Sequence, residues 1–165
     1  ALQAGIAARA DVVLIPEISC NLKHVANRLK DKISPRRPYG LVVVAEGAKF
    51  VDDSPAEGEA NGSIAERTAR TLQSLVDGEF YPLAIGPWAR GGNPTAVDQQ
   101  LGMAFGAGAV DLLKSGQSAV MVAFVPPDIV SLPLKEAGHK VRTVPADSGF
   151  LTIAQSLGIY LGTPL

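Results

Sequence analysis

The chain has 165 residues, of which 47% are hydrophobic and 19% are charged, and its formal net charge at pH 7 is −1. This composition excludes a disordered chain and argues against nucleic acid or an anionic membrane as a partner, while the length fits one domain. The lone cysteine, Cys20, excludes an intrachain disulfide and fits a reducing cytoplasm, and no apolar run reaches the roughly 18 residues of a membrane span.

The first third of the chain predicts a helix end, a strand and a second helix. Residues 1–10 are Ala-rich and typical of the end of a helix, as if the chain were cut from a longer one. The wholly apolar run 12–15 predicts a strand buried on both faces. Asn21 predicts the N-cap of a helix that runs to about Ile33. The paired arginines Arg36 and Arg37 follow in a polar break, where we expect them to be solvated.

The middle of the chain repeats the alternation of strand and helix. Residues 41–45 predict a second buried strand, followed at once by Glu46, and residues 49–62 predict a polar acidic loop. Ser63 and Glu66 form the S-x-x-E pattern of a capping box, which predicts a helix to about residue 76. Residues 80–85 predict a third strand.

A glycine turn and a long helix come next. The turn carries Arg90, Gly91 and Gly92, and Asn93 and Pro94 predict the N-cap and the first helical position. We expect the inward face of this helix to comprise Val97, Leu101, Phe105, Ala109, Leu112 and Leu113. Strand, turn and helix together suit an anion such as phosphate, although a plain tight turn with a solvated arginine remains the alternative.

The last third predicts a fourth strand over residues 119–125, ended by two prolines, then a short extended piece over residues 129–134. A final helix is expected after Asp147 or Ser148, with an inward face of Phe150, Ile153, Ala154, Leu157 and Leu161. The whole pattern predicts an α/β fold with a mostly parallel sheet flanked by helices. Its expected core includes Val13, Ile15, Val43, Ile85 and Val122.

Ligands of parallel sheets bind at the carboxyl ends of the strands, which directs attention to Glu17, Glu46 and Arg90. A carboxylate at Glu46 can accept hydrogen bonds from sugar hydroxyls, or it can be a strand-end charge paired with a basic side chain. The two histidines have no cysteine or carboxylate at metal-ligand spacing, so we predict no metal site in this chain.

Four segments carry a resemblance to a known family: ADVVLIPE, VVVAEGA, RGGNPTAVDQQL and AVDLLKSG. Together they resemble the C-terminal half of the 6-phosphofructokinase family, over nearly the whole chain. The resemblance implies a three-layer fold in which residues 1–165 form one substrate-binding domain. It implies that Arg90, Gly91 and Gly92 hold the phosphate of fructose 6-phosphate and that Glu46 contacts its sugar. Glu17 matches a glutamate that lines an effector site between subunits in some members.

The family reaction moves a phosphoryl group from ATP or pyrophosphate to fructose 6-phosphate in glycolysis, with Mg²⁺. The resemblance therefore implies these partners, a cytoplasmic location, and a homo-oligomer as the full chain. The G-G-D motif of the nucleotide- or pyrophosphate-binding half and the catalytic D-N-D motif do not occur here. We expect no catalytic residue in this chain and no kinase activity from it alone.

Two positions depart from the family pattern. Pro87 stands where members usually have histidine or tyrosine, and Tyr81 stands where many have an arginine that reaches the neighbouring subunit's sugar phosphate. Both changes remove donors from the phosphate site. An alternative interpretation is therefore a non-catalytic regulatory module, binding a sugar phosphate or an effector, that has lost the active site.

Overall fold

The computed structural model describes residues 1–51, 62–86, 88, 91–137 and 143–162. Two compact units make up the chain: unit 1 comprises Ala1–Ala84 and Thr143–Leu165, and unit 2 comprises Ile85–Arg142. Most of the predicted acidic loop, residues 52–61, lies outside the described part.

Six helices and four strands occur in the described part of the chain. In order they are α1 (Leu2–Ala7), β1 (Val12–Leu14), α2 (Leu22–Lys32), β2 (Val42–Val44), α3 (Ile64–Gln73), α4 (Ala96–Lys114), β3 (Val120–Val125), β4 (Asp128–Pro133), α5 (Leu134–Ala137) and α6 (Gly149–Ser156).

Unit 1 is built around a small parallel sheet with β1 in the middle. β1 and β2 pair in parallel, with Val12 opposite Val42. On its other side β1 pairs in parallel with Tyr160, whose carbonyl accepts the Val13 N–H at 2.9 Å. The predicted α/β class with a parallel sheet is confirmed.

The helices of unit 1 cover both faces of this sheet, because successive side chains of β1 point in opposite directions. Val12 and Leu14 belong to a core cluster with residues of α2 and α3, and Val13 and Ile15 belong to a second cluster with residues of α1 and α6. The predicted core residues Val13 and Ile15 are buried, whereas Val43 is half-buried.

Local capping motifs start the helices where the sequence predicts them. The Asn21 side chain accepts a hydrogen bond from the Lys23 N–H and begins α2. Ser63 and Glu66 form the reciprocal capping box of α3. These caps satisfy N–H groups that the first turn of a helix cannot pair internally.

The prediction that both Arg36 and Arg37 are solvated is wrong for Arg37. Its guanidinium forms a forked salt bridge with Asp11, which is 5% exposed. Asp11 is the residue just before β1, and a buried carboxylate there needs a partner. In the sequence, the only indication of this salt bridge is Asp11 itself, a single acidic residue directly before an apolar strand.

The third predicted strand, residues 80–85, is also wrong. No strand is found there, and Tyr81, Leu83 and Ile85 are 83%, 74% and 57% exposed. A strand requires at least one hydrogen-bonding partner strand. None of the ladders and bridges among the described residues includes residues 80–85.

Unit 2 consists of α4, α5 and an antiparallel hairpin. β3 pairs with β4 from Val120–Pro133 to Val125–Asp128 across a two-residue turn at Pro126 and Pro127. The predicted placement of residues 119–125 in the parallel sheet is therefore wrong. Since only two residues join the strands, the chain must reverse and pair antiparallel. Val122 is half-buried in this hairpin.

Helix α4 begins two residues later than Asn93 predicts. Thr95 is the N-cap, and it forms a capping box with Asp98. At the other end of α4, Gly116 has a φ of +72° and lies just past the C-cap. The predicted inward face is correct for Leu101, Phe105 and Leu112, which are half-buried, and wrong for the other three, which are exposed: Val97, Ala109 and Leu113.

Helix α6 buries only a narrow face. Ala154 is fully buried, but Phe150, Ile153 and Leu157 are 45%, 46% and 61% exposed, contrary to the predicted inward face. Leu161 is buried, although it follows the helix beside Tyr160. The small Ala154 brings α6 close to the second core cluster, and only that side of the helix is covered.

Candidate functional site

Two turns lie side by side at the carboxyl edge of the unit 1 sheet. The turn after β1 carries Pro16 and Glu17, and the turn after β2 carries Glu46 and Gly47. The Ala45 N–H donates to the Leu14 carbonyl at 2.8 Å, which holds the two strand ends together. This edge is where a parallel sheet offers its loops to a ligand.

The contact between the two turns is close. A Cβ added to Gly47 would lie 3.2 Å from Cγ of Pro16. Any larger residue at this position would therefore press on the neighbouring turn. Glycine keeps the Glu46 turn packed against the Glu17 turn.

Glu46 itself is exposed to solvent, two residues after β2 ends. Its turn is closed by a hydrogen bond from the Ala48 N–H to the Ala45 carbonyl at 2.9 Å. A carboxylate on such a turn offers acceptor oxygens to a ligand hydroxyl without first being released from a buried partner.

Glu17 is exposed to solvent, but its carboxylate accepts a hydrogen bond from the backbone. Its Oε1 accepts the backbone N–H of Val144 at 2.8 Å, across 127 positions of sequence. The bond ties the turn after β1 to the segment that leads into α6. A structural role for this carboxylate was not predicted from the sequence, which offered only the strand-end position as a signal.

A third segment, at Gly162, closes the same edge. Gly162 has a φ of +106°, and a Cβ added there would lie 2.6 Å from Cβ of Cys20. Cys20 is 1% exposed, and burial raises the pKa of its thiol to about 11. The thiol is therefore protonated at neutral pH, the form that is not nucleophilic.

The glycine turn belongs to unit 2, and its arginine, Arg90, lies outside the described residues, as does Pro87. Gly91 and Gly92 are described and exposed, and Gly92 has a φ of +99°, a conformation that glycine adopts readily. The Gly91 N–H donates to the Trp88 carbonyl at 3.1 Å. The predicted association of Arg90 with Glu46 stays a prediction.

The N-terminus of α4 already has a negatively charged side chain beside it, the carboxylate of Asp98. Asp98 Oδ2 accepts from the Thr95 hydroxyl at 2.7 Å and from the Thr95 N–H at 2.8 Å. Both hydrogen bonds lower the pKa of Asp98, and the one from the hydroxyl has the larger effect. A ligand phosphate near this terminus would meet a fixed negative charge, so the helix contributes less to anion binding than an uncapped one.

Tyr81 does not offer a free donor in place of the arginine that the resemblance implies at this position. Its hydroxyl donates to the Glu79 carboxylate, and this hydrogen bond raises the pKa of Tyr81. The side chain is 83% exposed. The arginine's charge is thus absent here, and the replacement hydroxyl is paired.

Within the residues that the structure describes, no group of three or more His, Cys, Asp or Glu side chains could hold a metal ion. Among the described helices, none combines the length and the apolar character needed to cross a bilayer.

Comparison with known proteins gives consistent matches. The family model described as Phosphofructokinase matches residues 1–113. The chain is 36% identical over 168 residues to the ATP-dependent 6-phosphofructokinase of Chloroflexus aurantiacus, covering 100% of this chain and 47% of that protein. It is 33% identical over 162 residues to ATP-dependent 6-phosphofructokinase 3 of Bacteroides thetaiotaomicron, covering 98% and 46%.

A third relative shows the same coverage. The ATP-dependent 6-phosphofructokinase of Thermosynechococcus vestitus is 35% identical over 168 residues, which is 98% of this chain and 45% of that protein. The chain thus spans about half the length of the curated relatives it matches, and the match falls on their C-terminal half.

Proposed function

Since the chain belongs to the phosphofructokinase family, we propose that it is the sugar-phosphate-binding half of a 6-phosphofructokinase-like enzyme. The proposed reaction transfers a phosphoryl group from ATP or pyrophosphate to the 1-hydroxyl of fructose 6-phosphate in glycolysis. The observation that carries the proposal is the position of Glu46, exposed on a turn at the carboxyl edge of a parallel sheet. This is where such a fold binds small ligands.

The chemistry divides between two groups. Glu46 accepts hydrogen bonds from the sugar hydroxyls. Arg90 binds the 6-phosphate through charge-assisted hydrogen bonds worth about 1.5–3 kcal/mol each, with Gly91 and Gly92 letting the backbone approach. A helix terminus contributes only about 0.3–1 kcal/mol to an anion. Because α4 is capped by its own Asp98, Arg90 dominates the phosphate preference.

The proposed reaction also needs a metal ion and a phosphoryl donor, in addition to the sugar phosphate. Mg²⁺ and the phosphoryl donor would be held mainly by the other half of the enzyme, where the metal neutralises phosphate charge in a reaction governed by positioning. We also propose that the full enzyme is a cytoplasmic homo-oligomer. In this chain, we propose a three-layer domain and an effector site at Glu17. An effector there would bind beside the hydrogen bond from Val144 to Glu17.

Calorimetric titration of the chain with fructose 6-phosphate and with fructose tests the sugar-phosphate site. The wild-type chain should prefer the phosphorylated sugar, weakly, and less so at high salt. Arg90→Ala should abolish that preference, whereas Arg36→Ala, which removes an exposed arginine elsewhere, should leave it unchanged. A phosphate preference that survives Arg90→Ala would contradict the proposed contact.

The role of Glu46 needs its own pair of variants. Glu46→Gln should weaken binding of both sugars, because a carboxylate is a stronger acceptor for hydroxyl groups than an amide. Glu136→Gln, a change of an exposed glutamate on α5, is the matched control. Equal affinities in the Glu46→Gln variant and the wild type would remove Glu46 from the site.

The second candidate function is a regulatory module that binds but does not catalyse. The pairing of Tyr81 with Glu79, in place of the family's arginine, favours it. The discriminating experiment fuses the N-terminal part of the Chloroflexus aurantiacus enzyme to Ala1 and assays turnover with ATP and with pyrophosphate. Turnover supports the enzyme, and tight sugar-phosphate binding without turnover supports the module.

A further inference from the structure

Two basic side chains of α2 converge on the turn that follows α6. Arg28 and Lys32 lie four residues apart on α2, so they are neighbours on one side of the helix. The Arg28 Nη2 donates to the Gly158 carbonyl at 2.8 Å, across 130 positions of sequence. A Cβ added to Gly158 would lie 3.8 Å from Arg28 Nη2 and 3.9 Å from Lys32 Nζ. Both side chains thus reach the same point.

Gly158 keeps this point open. Its φ is +73°, a conformation that glycine adopts readily. Apart from Gly158 and its two chain neighbours, no described atom other than the two nitrogens lies within 4 Å of the added Cβ. Two residues later, Tyr160 pairs with Val12, the first residue of β1. The point therefore lies at the amino edge of the unit 1 sheet, opposite the edge that carries Glu46.

The positive charge at this point has no acidic partner within the described part of the chain. Arg28 and Lys32 are half-buried, and neither forms an ion pair there. The carboxylate of Asp11, whose carbonyl accepts the Tyr160 N–H at 2.9 Å, is already bound by Arg37. Like charges four residues apart on a helix repel each other, and a half-buried cation without a partner is costly. An anion between the two side chains would relieve both effects.

Two buried polar groups beside the pair also lack a hydrogen-bond partner. They are the Nε of Arg28 and the hydroxyl of Tyr160, a residue that is 7% exposed. Burial is the largest cause that raises the pKa of Tyr160, and the charge of Arg28 acts in the opposite direction, so the guanidinium lies within electrostatic range of the hydroxyl. Buried polar groups without a partner are rare and require an explanation, such as a nearby ion.

The end of α6 accounts for only part of this arrangement. Helix α6 has no basic residue in its own last turn, and a cation from elsewhere stabilises a helix C-terminus. The hydrogen bond from Arg28 to Gly158 serves this purpose with one of the five N–H groups of the guanidinium. The remaining outer N–H groups and the Lys32 ammonium are still able to donate to a ligand.

We propose that Arg28 and Lys32 form a binding site over Gly158 for a phosphate-type oxyanion, either free or as a phosphate ester. The planar guanidinium suits two oxygens of such an ion, and the ammonium adds a second charge. The bound ion would join α2 to the turn after α6. This inference is independent of whether Glu46 and Arg90 bind a sugar phosphate.

Titration of the 165-residue chain with inorganic phosphate tests the proposal, with the ionic strength held constant by sodium chloride. Amide resonances in nitrogen–proton NMR spectra report on each site separately. Gly158 and Ile159 should shift and approach saturation. Lys32→Gln should weaken the binding that they report by about fivefold or more, because one of the two charges is removed.

The matched control is Lys30→Gln, which removes the same charge from an exposed position in the same last turn of α2. It should leave the affinity within about twofold. Equal weakening by the two glutamine variants, or no shift at Gly158 and Ile159, would overturn the proposal and leave the two cations as partners of the α6 terminus. Shifts at Gly91 and Gly92 alone would support the site at Arg90 and overturn this one.

A parallel titration with glycerol 3-phosphate identifies the form of the ligand. Tighter binding of glycerol 3-phosphate at Gly158 would indicate a phosphate ester, and tighter binding of inorganic phosphate would indicate the free ion. Absence of binding by both would overturn the proposal.

Thermal unfolding gives a second measurement, made in the Arg90→Ala chain to remove the other expected phosphate site. A ligand that binds only the folded chain raises the unfolding midpoint. Phosphate should therefore raise the midpoint more than sodium chloride of equal ionic strength does. Lys30→Gln should keep this difference and Lys32→Gln should lose most of it. An undiminished difference in Lys32→Gln would overturn the proposal.

Discussion

Arg37 holds Asp11 by both carboxylate oxygens, with Nη2 to Oδ2 at 3.0 Å. The same Oδ2 accepts the Leu41 backbone N–H at 2.9 Å. The hydrogen bonds of Asp11 thus join the start of β1 to the residue that precedes β2. The contact fixes the neighbouring strands whose far ends carry Glu17 and Glu46, and it also raises the pKa of Arg37 through the hydrogen bond to Asp11.

Asp11→Ala should lower the free energy of unfolding by about 1–3 kcal/mol. The reason is that the Leu41 N–H loses its acceptor at a partly buried position. Urea denaturation followed by circular dichroism measures the change. Arg36→Ala, which alters the exposed neighbour of Arg37, should stay within about 0.5 kcal/mol of wild type. An Asp11→Ala chain as stable as wild type would show that the carboxylate does not organise the strands.

Glu17→Ala should loosen the segment that leads into α6, because the Val144 N–H loses its acceptor. A single hydrogen bond of this kind contributes about 0.5–1.5 kcal/mol. Glu17→Gln keeps an oxygen in the same place and should restore most of the difference. Amide hydrogen exchange at Val144 provides the direct measurement. Protection that is equal in the alanine and glutamine variants would argue against this anchoring role.

Gly106→Ala should stabilise the 165-residue chain by up to about 1 kcal/mol, the difference in helix propensity between the two residues. The added methyl group meets nothing within 4 Å. Gly108→Ala is the matched control, because its methyl group would lie 3.2 Å from a side-chain carbon of Val122, which would have to shift by a few tenths of an ångström. Thermal unfolding should therefore rank Gly106→Ala above Gly108→Ala. The reverse order would mean that Gly106, not Gly108, is in close contact.

The start of α4 should depend on pH in the acidic range. Hydrogen bonds from Thr95 lower the folded-state pKa of Asp98 below its ordinary value of 3.8. The stabilisation is therefore fully present above pH 3.8 and is lost as the pH falls through the lower folded-state pKa. Amide exchange at Thr95 and Asp98, measured from pH 5 downward, should show this loss.

Asp98→Asn should remove that pH dependence, since the amide does not titrate in this range. Asp111→Asn, near the other end of α4, should preserve it. If the wild type, Asp98→Asn and Asp111→Asn all showed the same fraying at the N-terminus of α4 at every pH, that result would contradict the assignment of the pH dependence to Asp98.

Much of unit 1 was predictable because its determinants are local. The caps at Asn21 and at Ser63 with Glu66 act over two or three residues, so their outcome can be read from a short window of sequence. The apolar run at residues 12–15 predicted a strand buried on both faces, since no polar side chain interrupts it. Glu46 at the strand end follows from the same local reasoning.

Pairing between distant segments decided the rest. Residues 80–85 are as apolar as a strand, but strand formation depends on a partner whose position the local pattern does not contain. Residues 120–125 pair with β4 across the Pro126–Pro127 turn and do not join the parallel sheet. The salt bridge of Asp11 with Arg37 and the bond of Glu17 to Val144 join residues 26 and 127 positions apart. Hydrogen bonds and burial at such separations exist only once the chain has folded, because the partners meet through packing and not through sequence spacing.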